Sequence, residues 1–258
     1  IELGLLTSID KDRIEGLENI FDKWQDPAYD PGNTFSIPYA WGTTGLLYNK
    51  EAVSGTPTDW DYLWENQGDL SRRITLLDDV RETMGAVLRS LGYSYNSTDP
   101  AEIEEAFERL IELIPAIASF MSFGFEDALF GGDLNIVMAY SVDAIAATLE
   151  DERMEYFVPE SGSSVWTDTM IIPVGAPNVD AAYQWINFNL DPAISQMSTE
   201  MLFNATPNKV AFDNLSEELI SNTDLFPPQE VLDRCEGIAP VGEATALYDE
   251  FWTRVTSA

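Results

Sequence analysis

Thr75-Leu76-Leu77-Asp78-Asp79-Val80-Arg81-Glu82-Thr83-Met84-Gly85 decides the fold. An apolar run, Ile74 to Leu77, stops at two carboxylates and passes directly into a helical pattern. A buried strand of an α/β sheet reads this way when it delivers polar side chains to its carboxyl end, and ligands of open α/β sheets bind in the crevice outside those ends. With Asp79 as the cap of the following helix, Glu82 stands three positions on, so the two carboxylates share a helix face. Two acids there suit a cationic ligand. The same spacing also describes an ordinary capping box, and the stretch alone leaves both readings open.

At 258 residues the chain is long enough for one large domain or two medium ones. Hydrophobic residues make up 45% and aromatics 12%, so the chain has material for a core. Against this, 45 Asp and Glu face 13 Lys and Arg, a formal charge of -32. The acids are spread through helical patterns, which makes the whole surface acidic. Such a surface repels itself in dilute buffer and is relieved where salt is molar and the Debye length is about 3 Å. The composition therefore reads as halophilic. It offers no basic patch to neutralise phosphates, which argues against a nucleic-acid partner. Histidine is absent and Cys235 is the single cysteine, so the commonest general base and metal ligand are missing and no intrachain disulfide can form. Neither a cofactor nor a metal is expected. No apolar run approaches the ~20 residues of a membrane span, and no signal-peptide pattern is present. The chain opens at Ile1 without Met, which is consistent with a leader removed upstream.

Taken in order, residues 35–49 read as extended structure, with Pro38 and Gly42 suggesting an irregular or edge strand. Arg81 to Leu91 is a helix closed by Gly92, and a second starts at Thr98-Asp99-Pro100 with Ile103, Phe107, Leu110, Ile111 and Ile114 as its apolar stripe. Leu134 to Tyr140 is a strand, Asp143 to Leu149 a short helix, and Phe157-Val158 and Met170-Ile171-Ile172 are further strands. Helices follow over 180–190 and 192–201, and a last amphipathic helix runs from about Gly242 to Val255. Strands alternating with helices indicate an α/β protein with a largely parallel sheet.

Several ordered segments then resemble one family. These are Ser36 to Gly45, Asp59-Trp60-Asp61-Tyr62-Leu63-Trp64, Leu76 to Glu82, Leu91 to Pro100, Trp166-Thr167-Asp168, Ile186-Asn187-Phe188 with Asp191-Pro192, and Thr206-Pro207-Asn208. In that order and spacing the chain resembles the spermidine/putrescine-binding proteins of polyamine ABC importers, of type II periplasmic-binding-protein fold. The resemblance implies two lobes, each a mainly parallel sheet flanked by helices. Residues 1–42 with 170–213 would be what remains of lobe 1, and 43–169 with 214–258 would be lobe 2. By the family's usual size roughly 80 residues, a β-α-β-α portion of the first lobe, would precede Ile1.

Site residues carry over by position. Asp79 and Glu82 fall on the family's ammonium-holding acidic pair, and Trp166 and Asp168 on its Trp-x-Asp motif, where a ring lies along the methylene chain and a carboxylate takes an amine. Tyr140 stands where Trp is usual, and Ile238 stands where a ligand-binding Gln is usual. Asp143, an extra acid, is either compensation or a helix N-cap. Trp41 lines the cleft or marks an interlobe crossing, with the two readings even. The implied protein does no chemistry. It is an extracytoplasmic, monomeric receptor that closes on putrescine or spermidine and delivers it to a membrane permease, and the resemblance is consistent with a lipid on a removed N-terminal segment holding it at the surface. Alternating carboxylates and aromatic faces suit a chain of ammonium groups joined by methylenes. The alternatives are a cleft binder for a quaternary amine or amino-acid derivative, and a glycoside hydrolase using two of the acids, for instance Asp79 and Asp168.

Overall fold

A computed structural model describes residues 1 and 3–257; Glu2 and Ala258, which fall within the expected lobes, lie outside the described residues. The strands are β1 (Ser36–Asn49), β2 (Ile74–Leu76), β3 (Ile117–Phe120), β4 (Ile136–Tyr140), β5 (Met154–Phe157), β6 (Ser164–Ile171) and β7 (Glu236–Gly237). The sheet order is β3-β2-β4-β1-β6-β7, with β5 pairing β1 as well. Two compact units emerge: residues 1–42 with 167–226, and residues 43–166 with 227–258.

The second unit carries the parallel part of the sheet. β2 pairs in parallel with both β3 and β4, whereas β1 runs antiparallel to β4 over Thr44–Tyr48 and to β5 over Leu46–Asn49. The α/β class thus holds, with a mixed sheet. The helices Val80–Ser90 and Pro100–Leu113 cover it. The second of these buries Ile103, Ala106, Phe107, Leu110 and Leu113, each large side chain contributing about 1.5–3 kcal/mol. Its start is capped by Asp99, whose Oδ1 accepts from Ala101 N–H at 2.8 Å, and Pro100 occupies the first turn where no N–H is needed. Trp60, 1% exposed, sits in the same core, and Trp64 packs at its margin. The closing helix Thr245–Thr256 adds Tyr248, Phe251 and Val255 to that core.

β1 departs from expectation. It is a continuous strand of 14 residues in the interior of the sheet order, not an edge strand. Pro38 precedes the stretch that pairs with β4 and β5, so its missing N–H removes no bond from those ladders. Gly45 is the position where only glycine fits: a Cβ there would lie 2.3 Å from the carbonyl oxygen of Phe157.

In the first unit, helices Val179–Leu190 and Pro192–Leu202 pack on each other, both opened by side-chain caps, Asn178 and Asp191. Leu6 bridges Pro173, and Trp41 bridges Ala205. Trp185 and Phe188, stacked at 5.7 Å, remain 61% and 48% exposed.

Candidate functional site

β2, β3 and β4 are parallel, so the segments leaving them emerge at one end of the sheet. Register places Leu76 beside Phe120 and Thr75 beside Val137. Asp79, Phe123 and Tyr140 therefore follow at about the same level on three neighbouring strand ends.

Asp79 is the cap of helix Val80–Ser90, as the spacing predicts. Its backbone is extended, and Oδ1 accepts from the N–H groups of Arg81 (2.8 Å) and Glu82 (3.0 Å). Oδ2 accepts no hydrogen bond among the described residues. Glu82 does not complete a reciprocal box. It is 2% exposed, and its Oε2 accepts from the hydroxyls of Tyr95 (2.7 Å) and Ser164 (2.8 Å). Burial pushes its carboxyl up to about 7; the Tyr95 and Ser164 hydroxyls pull the other way, and nearby Asp79 adds to the rise. Glu82 thus lies beneath the surface that Asp79 lines. Arg81, between the two acids in sequence, pairs with neither: it donates to the Ala239 carbonyl and to Asn96 Oδ1, each at 2.9 Å, with its guanidinium over the Tyr248 ring.

Tyr140 and Trp166 come together edge to face, centroids 6.1 Å apart at 83°. The Trp166 indole N–H donates to the Thr43 carbonyl at 3.1 Å, which fixes the ring. Ser164 and Trp166 are two apart on β6 and so share a face of the strand. Glu82 and the aromatic wall are thereby tied to one element. Asp143 is not the cap of its helix, Ser141–Glu150; the cap position is Tyr140, without a side-chain bond, and Asp143 sits within the first turn. Burial, then the charge of Glu126, pushes its carboxyl above the usual range.

Asp168 and Trp41 belong to the first unit. Asp168 is exposed as a residue, yet burial of its carboxyl raises the pKa, while the Tyr39 hydroxyl donates to it and lowers it. Trp41 is 5% exposed and walled in by Trp24 (5.8 Å) and Phe226 (6.2 Å), and its indole N–H is spent on the Thr206 carbonyl at 3.2 Å. The Lys23 ammonium lies 4.4 Å from the Trp41 ring centroid and 4.6 Å from that of Trp24. Trp41 is therefore core, its ring already faced by the ammonium of Lys23, itself an exposed residue. Burial lowers the Lys23 pKa.

Ile238 follows the short strand β7, which is held from several sides. Asn96 donates to Glu236 and to the Gly237 carbonyl and accepts from Ala239 N–H, while Arg89 pairs with Glu236 at 3.1 Å. Tyr39, Tyr95, Ser164 and Phe123 are the residues that motif reading passed over. Only Ser164 carried a usable signal, the two-residue offset from Trp166.

Residues 1–227 match the family model described as bacterial extracellular solute-binding protein. The chain belongs to that family. Among curated relatives of this solute-binding chain, the spermidine/putrescine-binding periplasmic protein of Escherichia coli (strain K12) is 34% identical over 98% of the chain and 72% of its own length. A putrescine/cadaverine-binding protein of Pseudomonas aeruginosa is 30% identical, covering 99% and 75%. The solved spermidine/putrescine ABC transporter substrate-binding protein of Streptococcus pneumoniae superposes with a TM-score of 0.87 at 34% identity, covering 99% of this chain and 79% of that one. A solute-binding protein of this family is extracytoplasmic and is not an enzyme, so the hydrolase alternative falls away. Among the described residues no helix is long and apolar enough to cross a membrane, and no cluster of three or more potential ligands could hold a metal.

Proposed function

We propose that this solute-binding protein takes up a di- or polyamine of the putrescine or spermidine class and delivers it to the permease of an ABC importer. The observation that carries the reading concerns unpaired charge. Among the described residues, Asp79, Glu82, Asp143 and Asp168 make no ion pair, although Arg13, Lys50, Arg89, Arg109, Arg153 and Arg254 are all engaged with other acids. Three of these unpaired carboxyls are held high by desolvation. Acids withdrawn from water without a partner are costly, and a cationic solute removes the cost. Trp166 and Tyr140 supply faces on which methylenes and ammonium groups rest. The names of the relatives, which bind spermidine, putrescine or cadaverine, point to the same class. In this reading Asp79 and Asp168 contact ammonium groups, Tyr140 and Trp166 line the carbon chain, Asp143 adds negative field, and Glu82 orients the wall from beneath. Trp41 takes no direct part. The protein acts as a monomer, and a charge of -32 leaves it unsuited to nucleic acid.

Thermal unfolding in molar salt with putrescine, spermidine, glycine betaine or a neutral sugar tests the proposal. An amine at 100 times its Kd adds about 2.7 kcal/mol, a rise of roughly 5–11 °C at about 2–4 °C per kcal/mol. Asp168→Asn is expected to abolish it. No response to either amine, or a response to betaine alone, overturns the assignment.

A further inference from the structure

Phe123 is a large aromatic left open to water at the strand ends where the candidate site lies. The loop leaving β3 turns at Gly124, whose φ of +80° suits glycine, and Phe123 stands 71% exposed. Among the described residues of the second unit, Leu149 is the other large apolar side chain exposed to this degree, at 65%. Isolated exposed apolar residues are ordinary. Phe123 is not isolated: its ring centroid is 6.4 Å from Tyr140, inclined at 39°, and Tyr140 is 6.1 Å from Trp166. The three rings form a file that leads from a half-buried indole with a fixed N–H to a phenyl group in solvent. Two carboxylates accompany its outer part. Asp143 lies in the first turn of the helix after Tyr140, and Glu126 in the first turn of the helix after the Phe123 loop, Glu126–Gly131. The charge of Glu126 adds to the cost of ionising Asp143, and neither side chain has an ion pair or hydrogen bond among the described residues.

We propose that Phe123, flanked by Asp143 and Glu126, forms an outer subsite that takes the additional ammonium-bearing arm of a triamine beyond the part held at Asp79 and Trp166. The inference rests on the amine-binding reading and deepens it: the third ring and its acids favour spermidine over putrescine. A diamine fills the inner positions and leaves Phe123 untouched, whereas a triamine reaches a face on which a further cation is attracted by the ring quadrupole.

Calorimetric titration of the chain with spermidine and putrescine in one high-salt buffer tests this, using wild type, Phe123→Ala, Phe123→Trp and Glu126→Gln. Wild type is expected to prefer spermidine. Phe123→Ala should weaken spermidine about three- to tenfold while leaving putrescine within about twofold, and Phe123→Trp should restore the preference. Glu126→Gln should act in the same direction as Phe123→Ala. Equal losses for both amines, no loss for either, or a wild-type preference for putrescine overturns the subsite alone. Absence of binding by wild type to either amine overturns the amine reading and the subsite with it. Phe123 is exposed, so an unchanged Tm verifies that each variant is folded.

Discussion

Glu82→Gln isolates one buried proton. In the folded chain burial holds the Glu82 carboxyl at about 7 against an ordinary 4.5. A raised folded-state value means the native state binds the proton more tightly than the unfolded chain. The stabilisation is therefore complete below about pH 4.5 and is lost as pH rises through about 7. At 1.36 kcal/mol per unit, a shift of about 2.5 units corresponds to roughly 3 kcal/mol, or a Tm decline on the order of 6–12 °C between pH 4.5 and 8. Gln keeps an acceptor for the Tyr95 and Ser164 hydroxyls but cannot ionise. The variant should match wild type near pH 5 and exceed it at pH 8. Calorimetric unfolding of both chains over pH 4.5–8.5 at constant molar salt cancels the repulsion of the other acids, which is common to the two. Parallel Tm curves would show that Glu82 does not carry its proton into the folded state and would refute the reasoning.

Gly85→Ala gains about 1 kcal/mol of helix propensity, yet its Cβ would fall 2.1 Å from the Tyr95 ring; a net loss of roughly 1–3 kcal/mol in denaturant unfolding is expected. Arg89→Met removes donors to Ser161, Tyr93, Arg234 and Glu236 and should cost roughly 1–3 kcal/mol at neutral pH. Burial pushes the Glu236 carboxyl up, but Ser94, the Tyr95 N–H, Asn96 and Arg89 outweigh it and hold it low. The wild-type advantage should therefore shrink as pH falls through the Glu236 titration, read by unfolding at pH 7 and pH 3. Transfer from molar salt to about 0.1 M, where the Debye length grows from about 3 to about 10 Å, should lower the Tm; an unchanged Tm would refute the halophilic reading of the charge.

The stretch from Ile74 to Gly85 was legible because two local signals agree there: an apolar run that ends at acids, and Asp79 at cap spacing. Cap and helix need only neighbours in the chain. Glu82 shows where such reading stops. Its partners Tyr95 and Ser164 are brought to it by the sheet and by the loop after the helix, and nothing in D-x-x-E tells an inward carboxylate from an outward one. β1 was read as irregular or edge from Pro38 and Gly42, yet it lies inside the sheet order, and its ladders to β4 and β5 begin only at Thr44. β3 is only Ile117–Phe120, too short to show a period, and without it the loop carrying Phe123 had no place. Trp41 was balanced between two roles, and the packing of Trp24, Phe226 and Lys23 around it was needed to put it in the core.

The second unit is discontinuous: residues 43–166 are completed by 227–258, after an intervening stretch that belongs to the first unit. Val241, Tyr248, Phe251 and Val255 are core residues of that unit, and β7 pairs with the start of β6. A ribosome delivering this chain from its amino end cannot close the core around the Phe107–Phe251 stack, centroids 4.5 Å apart, until the segment carrying Phe251 has emerged. Its core contacts are far apart in sequence, which predicts slow folding and a long-lived open state. Such a chain remains threadable while the whole first-unit insertion is being made. For a protein that works beyond the cytoplasm, late closure keeps the polypeptide loose until it has arrived.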